Sequence, residues 1–165
     1  MATIYYDHDA NLELIRGRRV GVIGYGSQGH AHAGNLADSG VTVRVGLPPT
    51  SKRISTAKAD GHIVSSPTEI AAWADVLVML APDTRQPALW RELEPHFRGD
   101  GHLLMFAHGF NIHYGTIVPS PGLDVAMIAP KGPGHRVRET FENGHGVPAL
   151  LAVHESSSPE TRALA

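Results

Sequence analysis

The chain has 165 residues, 42% hydrophobic and 18% charged, with a net charge of −2. That is enough apolar material for one folded domain, and it excludes a highly charged disordered chain. The absence of cysteine excludes disulfides and thiolate chemistry, and the lack of any basic block argues against sequence-independent nucleic-acid binding.

Residues 1–17 read as a lead-in, with a short helical turn at 11–15 that Gly17 ends. Residues 19–23 form a first strand and residues 27–39 a first helix, closed by the glycine stop Asp38-Ser39-Gly40. Val41, Val43 and Val45 alternate with Thr42 and Arg44, which predicts a second strand. Pro48-Pro49 is a turn, and Thr50 or Ser51 is placed to cap a helix running to Lys58. A short strand at 62–64 precedes a helix that starts at Pro67, with Ser66 as cap and Glu69 completing a capping box. Residues 76–81 are a continuous apolar run, suited to a parallel strand buried on both faces. A turn at Pro82-Asp83-Thr84 leads into a helix reaching about His96. Further strands are expected at 103–107, 125–129 and 147–153, and a final helix from Pro159. Neither a secretory leader nor a membrane-spanning run is expected, and the reading favours a reducing cytoplasm.

Strand and helix alternate throughout, which predicts an α/β fold: a doubly wound, mostly parallel sheet in one domain covering residues 1–165. Ligands on such sheets bind beyond the carboxyl ends of the strands. The first of those ends carries Gly24-Tyr25-Gly26-Ser27-Gln28-Gly29, a GxGxxG turn between strand and helix. In that context Gly24 permits the tight turn, Gly26 lets a pyrophosphate approach the backbone, and Gly29 lets helix and strand pack closely. The helix start then offers free N–H groups and its positive dipole end. S-adenosylmethionine is the rival ligand for such a turn.

Strand two lacks the terminal acid that usually grips the ribose hydroxyls of NAD; Ser51, Lys52, Arg53 and Ser55 follow it instead. Hydroxyls and cations suit a 2′-phosphate, so NADP(H) is favoured over NAD(H). The eleven histidines lack metal-ligand spacing, and no metal ligand is assigned. His108 is the exception among them: it ends a buried strand at the ligand edge, where an imidazole can hold charge or pass a proton. Lys131, in a Pro/Gly-rich loop at the same edge, is placed to hold a carboxylate or phosphate.

Three segments together are highly specific: Gly24–Ala33, the run Ala107-His108-Gly109-Phe110-Asn111-Ile112-His113, and Ala129-Pro130-Lys131-Gly132-Pro133-Gly134-His135. They resemble the hallmark segments of ketol-acid reductoisomerase (acetohydroxyacid isomeroreductase), whose N-terminal domain is Rossmann-like. Tyr6-Asp7-His8-Asp9 and Gly146-Val147-Pro148-Ala149-Leu150 fit as well. The resemblance implies an NADP-dependent oxidoreductase of valine, leucine and isoleucine biosynthesis. In it Mg²⁺ promotes alkyl migration in 2-acetolactate or 2-aceto-2-hydroxybutyrate, and NADPH reduces the product to a 2,3-dihydroxy acid. By matching positions it implies that Tyr25, Gly26, Ser27 and Gln28 line the pyrophosphate and that Ser51 and Arg53 meet the 2′-phosphate. Asp83, Thr84, Arg85 and Gln86 border the adenosine and ribose side, Gly134 touches the nicotinamide end, and His108 and Lys131 lie in the active site.

Pro48 and Arg53 depart from the family pattern, which commonly has a basic residue at the first position and serine at the second. Family members also continue into a knotted helical domain that carries the Mg²⁺-binding carboxylates and much of a dimer interface. The chain is therefore expected to be the N-terminal domain only, without Mg²⁺ ligands and inactive toward acetolactate alone. A homo-oligomer or a partner chain supplying the helical domain would complete it. The alternative is a non-catalytic NADP-binding or interaction module.

Overall fold

The computed structural model describes residues 3–97 and 101–165. A 3-10 turn at Asp7–Asp9 and a one-turn helix α1 (Glu13–Arg16) lead into β1 (Arg19–Ile23). Then follow α2 (Ser27–Asp38), β2 (Thr42–Gly46), α3 (Ile54–Ala59), β3 (Ile63–Ser65), α4 (Pro67–Trp73), β4 (Val76–Met79) and α5 (Gln86–Leu93). The second half comprises β5 (Leu103–Phe106), α6 (Phe110–His113), β6 (Asp124–Pro130), α7 (Gly134–Glu142), β7 (Ala149–Val153) and α8 (Thr161–Leu164). The seven strands form one sheet in the order β3-β2-β1-β4-β5-β6-β7. Six are parallel, and β7 runs antiparallel to β6. This is a Rossmann-like, mostly parallel α/β sheet.

The apolar runs explain the centre of the sheet. All four residues of β4 are buried, and so are Val20, Val22 and Ile23 of β1. Alternation along the strands divides the core between the two faces. Ile23, Leu77, Met79, Leu104 and Phe106 meet Ile70 of α4 and Trp90 and Leu93 of α5 on one side. Val20, Val22, Val76, Val78 and Leu103 meet Ala33 of α2 and Ala57 of α3 on the other. Each fully buried Leu or Ile contributes about 1.5–3 kcal/mol. Ser66 caps α4 as expected: its Oγ accepts from the Glu69 N–H, and Glu69 Oε2 accepts from the Ser66 N–H at 2.9 Å. The Ser66 hydroxyl, which donates to Glu69 Oε2 at 2.7 Å, and then the Ser66 N–H hold the Glu69 carboxyl below its ordinary range.

Several boundaries differ from expectation. The strand expected at 76–81 stops at Met79, and the one expected at 147–153 starts at Ala149. The latter pairs antiparallel with β6, Pro130 opposite Ala149 and Ala126 opposite Val153. Neither Thr50 nor Ser51 caps α3, which begins at Ile54 behind Arg53. Two helices, α6 and α7, were not anticipated. Pro133 and Gly134 read as loop punctuation, but Pro133 is the extended N-cap of α7 and Gly134 its first residue.

Candidate functional site

The glycine turn joins β1 to α2 and is held by the sheet itself. The Gly24 N–H donates to Gly46 O at 3.1 Å, and the Leu80 N–H donates to Ile23 O at 2.9 Å. Gly24 has φ +101°, and a Cβ there would lie 2.9 Å from the Leu80 and Ala81 backbone. A Cβ on Gly29 would lie 2.3 Å from Gly24 O, so the first turn of α2 rests directly on the loop. Gly26 is the opposite case, with nothing within 4 Å of a Cβ. As the N-cap of α2 it has no side chain to satisfy the N–H groups of Ser27, Gln28 and Gly29, which therefore remain for a ligand. The residues fit an anionic group: a cradle of unpaired donors opens at the one glycine of the turn that is sterically free.

Tyr25 supports the turn from behind. Its ring is buried, and its hydroxyl donates to Asp60 Oδ2 at 2.8 Å. His30 and His62 pack edge-on against it, with centroids at 5.7 and 5.6 Å. Burial first, and then Asp60, raises the phenol pKa above its ordinary value.

In front of the turn lies a cleft of about 860 Å³. It is lined by Gly24, Tyr25, Gly26, Ser27, Gln28, Ser51, Arg53 and Arg85, together with Ser66 and Thr68. Ser51 is fixed by its own loop: its N–H donates to Pro48 O at 2.9 Å, and its Oγ accepts from the Arg53 N–H at 3.2 Å. Arg53 is exposed at the rim. Expected site residues outside this lining are Gly29, Asp83, Thr84, Gln86, His108, Lys131 and Gly134.

Of these, Asp83 and Gln86 meet beside His108, Gly29 belongs to the glycine turn, and Lys131 and Gly134 follow β6. His108 Nδ1 lies 3.1 Å from Asp83 Oδ2, with the His108 side chain 66% exposed. Gln86 is buried, and its Nε2 donates to Ala81 O at 2.8 Å and to Asp83 Oδ1 at 3.2 Å. Thr84 and Lys131 are exposed, and the Lys131 N–H donates to Pro148 O at 2.8 Å. The loop carrying Lys131 is drawn to the glycine turn by Gln28, whose Nε2 donates to Gly132 O at 2.9 Å. Gly134 is buried against Ser27, where a Cβ would lie only 1.9 Å from Ser27 O. The start of α7 thus sits on the start of α2.

Sequence reasoning missed Asp60, Thr68 and Asn111. Asp60 and Asn111 carried no signal of their own, because their partners lie 35 and 25 residues away. Ser66 was read only as a helix cap, and its place on the cleft follows from the strand order. Among the described residues no three His, Cys, Asp or Glu side chains are grouped to hold a metal ion. No helix of the described residues is long and apolar enough to cross a membrane.

Comparison with known proteins agrees with this geometry. A ketol-acid reductoisomerase (NADP(+)) of Nocardia farcinica is 52% identical over 163 residues, covering 98% of this chain and 48% of that protein. The structure of an NADH-preferring ketol-acid reductoisomerase from an uncultured archaeon superposes with a TM-score of 0.92 at 38% identity, covering 99% of this chain and 51% of the other. A 1-pyrroline-5-carboxylate reductase of Streptococcus pyogenes, at 15% identity and a TM-score of 0.71, shares the fold; it covers 89% of this chain and 52% of that one. The chain spans about half the length of the reductoisomerases it matches. Residues 14–165 match the family described as acetohydroxy acid isomeroreductase, NADPH-binding domain, and the chain belongs to that family.

Proposed function

We propose that this chain binds NADP(H) in the cleft before the glycine turn and forms the coenzyme half of a ketol-acid reductoisomerase. The observation that carries the reading is the unfilled space at Gly26 beside the uncapped start of α2. The N–H groups of Ser27, Gln28 and Gly29 bind the pyrophosphate, and the positive end of the helix adds to the attraction. Ser51 and Arg53 meet the 2′-phosphate at the rim, a hydroxyl and a guanidinium suited to a dianion. Asp83, Thr84, Arg85 and Gln86 border the adenosine and ribose side. Gly134 lets α7 close on Ser27 and so brings the Lys131 loop toward the nicotinamide end.

When bound, the dihydronicotinamide supplies the hydride that reduces a ketone to an alcohol. His108 and Lys131 work on the substrate side. The ammonium of Lys131 holds a carboxylate or an oxygen that gains negative charge, and the imidazole of His108 holds or passes a proton. Substrates of the 2-acetolactate type meet both requirements. The alkyl migration, promoted by Mg²⁺ in the family, belongs to the assembled enzyme. No carboxylate cluster among the described residues fits that metal. Assembly as a homo-oligomer or with a helical partner segment, in a reducing cytoplasm, completes the reading.

Fluorescence titration of the purified chain with NADPH, NADH and S-adenosylmethionine tests it. NADPH should bind at least tenfold more tightly than NADH, with a preference that weakens as salt rises. Equal or tighter binding of NADH would remove the 2′-phosphate role of Ser51 and Arg53. Binding of S-adenosylmethionine alone would overturn the coenzyme assignment.

A further inference from the structure

The exposed His108 lies beside one end of a buried chain of amides. Asn111 and Gln86 are among the few buried polar residues of the protein, 2% and 3% exposed. Asn111 Nδ2 donates to Gln86 Oε1 at 2.8 Å and to Asp83 O at 3.0 Å. Its Oδ1 accepts from the Thr116 hydroxyl at 2.5 Å. Gln86 in turn holds Ala81 O and Asp83 Oδ1. One oxygen of Asp83 is thereby committed to Gln86, and the other faces His108 Nδ1 at 3.1 Å. Every polar group of the chain has a partner of the complementary kind, so it has one consistent arrangement of donors and acceptors.

We infer that Asp83, fixed by Gln86 and Asn111, is a positioning residue that selects the tautomer of His108. A carboxylate only accepts, so the ring nitrogen facing it carries the proton. In the neutral ring that leaves the Nε2 lone pair as the acceptor available to a substrate. A free histidine prefers the opposite tautomer, so the selection must come from Asp83. The same arrangement holds the loop after β4 against the loop after β5, because Asn111 binds both the backbone and the side chains of the Asp83–Gln86 turn. That His108 acts on substrate rests on the proposed function; the tautomer itself does not.

The test is a long-range ¹H–¹⁵N spectrum of the histidine rings in the labelled full chain. It is recorded near pH 8, above the ordinary histidine pKa of about 6.5. The His108 signal is assigned by its loss in His108→Gln. The wild-type ring should be predominantly Nδ1-protonated. Asp83→Ala should reverse that to predominantly Nε2-protonated, and Asn111→Ala should give a mixture. A wild-type ring already protonated at Nε2 overturns the inference, whatever Asp83→Ala and Asn111→Ala show. An Asp83→Ala ring that stays Nδ1-protonated in a folded chain overturns it equally. NADPH titration of the same wild-type sample separates the two claims: failure to bind defeats the proposed function and leaves the tautomer result standing.

Discussion

The two ends of the candidate site are built by different means. The glycine turn is an extension of the sheet: main-chain bonds from Gly24 and Leu80 continue the pairing of β1 with its neighbours. Its ligand-facing groups are peptide N–H groups, fixed once the strand and helix are fixed. The end that carries His108 and Lys131 is held by side chains. Gln86, Asn111 and Thr116 anchor one loop, and Gln28 reaches across to Gly132 to anchor the other. The contrast matches the tasks. A diphosphate is held by many equivalent donors at a rigid edge, whereas a reacting centre needs particular groups at particular angles. It also implies that the second end depends on contacts far apart in sequence.

The sharpest way to break the comparison is at Gly134, where the two ends touch. An added Cβ would sit 1.9 Å from Ser27 O and 2.6 Å from Ser27 Oγ. Backbone cannot yield as a flexible side chain can, so α7 must move off α2. Gly134→Ala should cost about 3 kcal/mol, at the upper end of overpacking effects, and lower Tm by roughly 6–12 °C. NADPH affinity should fall with it, since the Ser27 peptide is the first donor of α2. Thermal unfolding monitored by circular dichroism checks this; an unchanged Tm would mean that the two helices are not tied at this point.

Gly26→Ala makes the complementary change. No atom lies within 4 Å of the new methyl, and the backbone at φ −82° is ordinary for alanine. Stability should stay within about 0.5 kcal/mol of wild type. The methyl would nevertheless stand where the proposed site receives the pyrophosphate, so NADPH affinity should fall by about tenfold to a hundredfold, roughly 1.4–2.8 kcal/mol. Paired Tm and titration measurements separate the two glycines: one variant loses stability and binding together, the other loses binding alone.

The same division governs what could be read from the amino acids. The turn was legible because its requirements are local. Val20–Ile23 predicts the strand, and the positive φ of Gly24 and the contact of Gly29 with Gly24 O arise within six residues. Alternation of strand and helix predicts a doubly wound, mostly parallel sheet, whereas the order of its strands is seen only in the structure. The Asp83–Gln86–Asn111 chain was not legible, because each residue is ordinary in its own segment and acquires a role only when β4 and β5 lie side by side. The α7 helix was overlooked for another reason. Gly134, Val137 and Phe141 do show helical spacing, but Pro133-Gly134 suggested a loop, and the N-cap role of Pro133 outweighed that signal. Tyr25 has a second role that the motif does not announce: it lines the cleft, and its hydroxyl donates to Asp60 behind the turn.

Acid should find a weakness on either side of this division, and unequally. His32 of α2 lies over an apolar cavity of about 350 Å³ that includes Val78, Met105, Val137 and Phe141, between α2, α7 and the sheet. Its Nε2 is buried with no hydrogen-bond partner among the described residues, and burial alone lowers its pKa. His62, behind the glycine turn, is also lowered, first by burial; Asp60 and Asp38 oppose the shift, while His30 and Arg138 add to it. In both cases the folded pKa lies below the unfolded value of about 6.5, so the unfolded chain takes up the proton first. The resulting stability is complete above that pH and is lost as pH falls through the window toward the folded pKa. Urea midpoints should therefore decline from pH 7 to pH 5, by less than the roughly 1.4 kcal/mol per pH unit that one full proton would give. His32→Gln should flatten most of that slope and His62→Gln only a small part, because nothing near His32 offsets its burial. Equal flattening by the two variants would place the acid-sensitive contact at the glycine turn as much as in the cavity beneath α7.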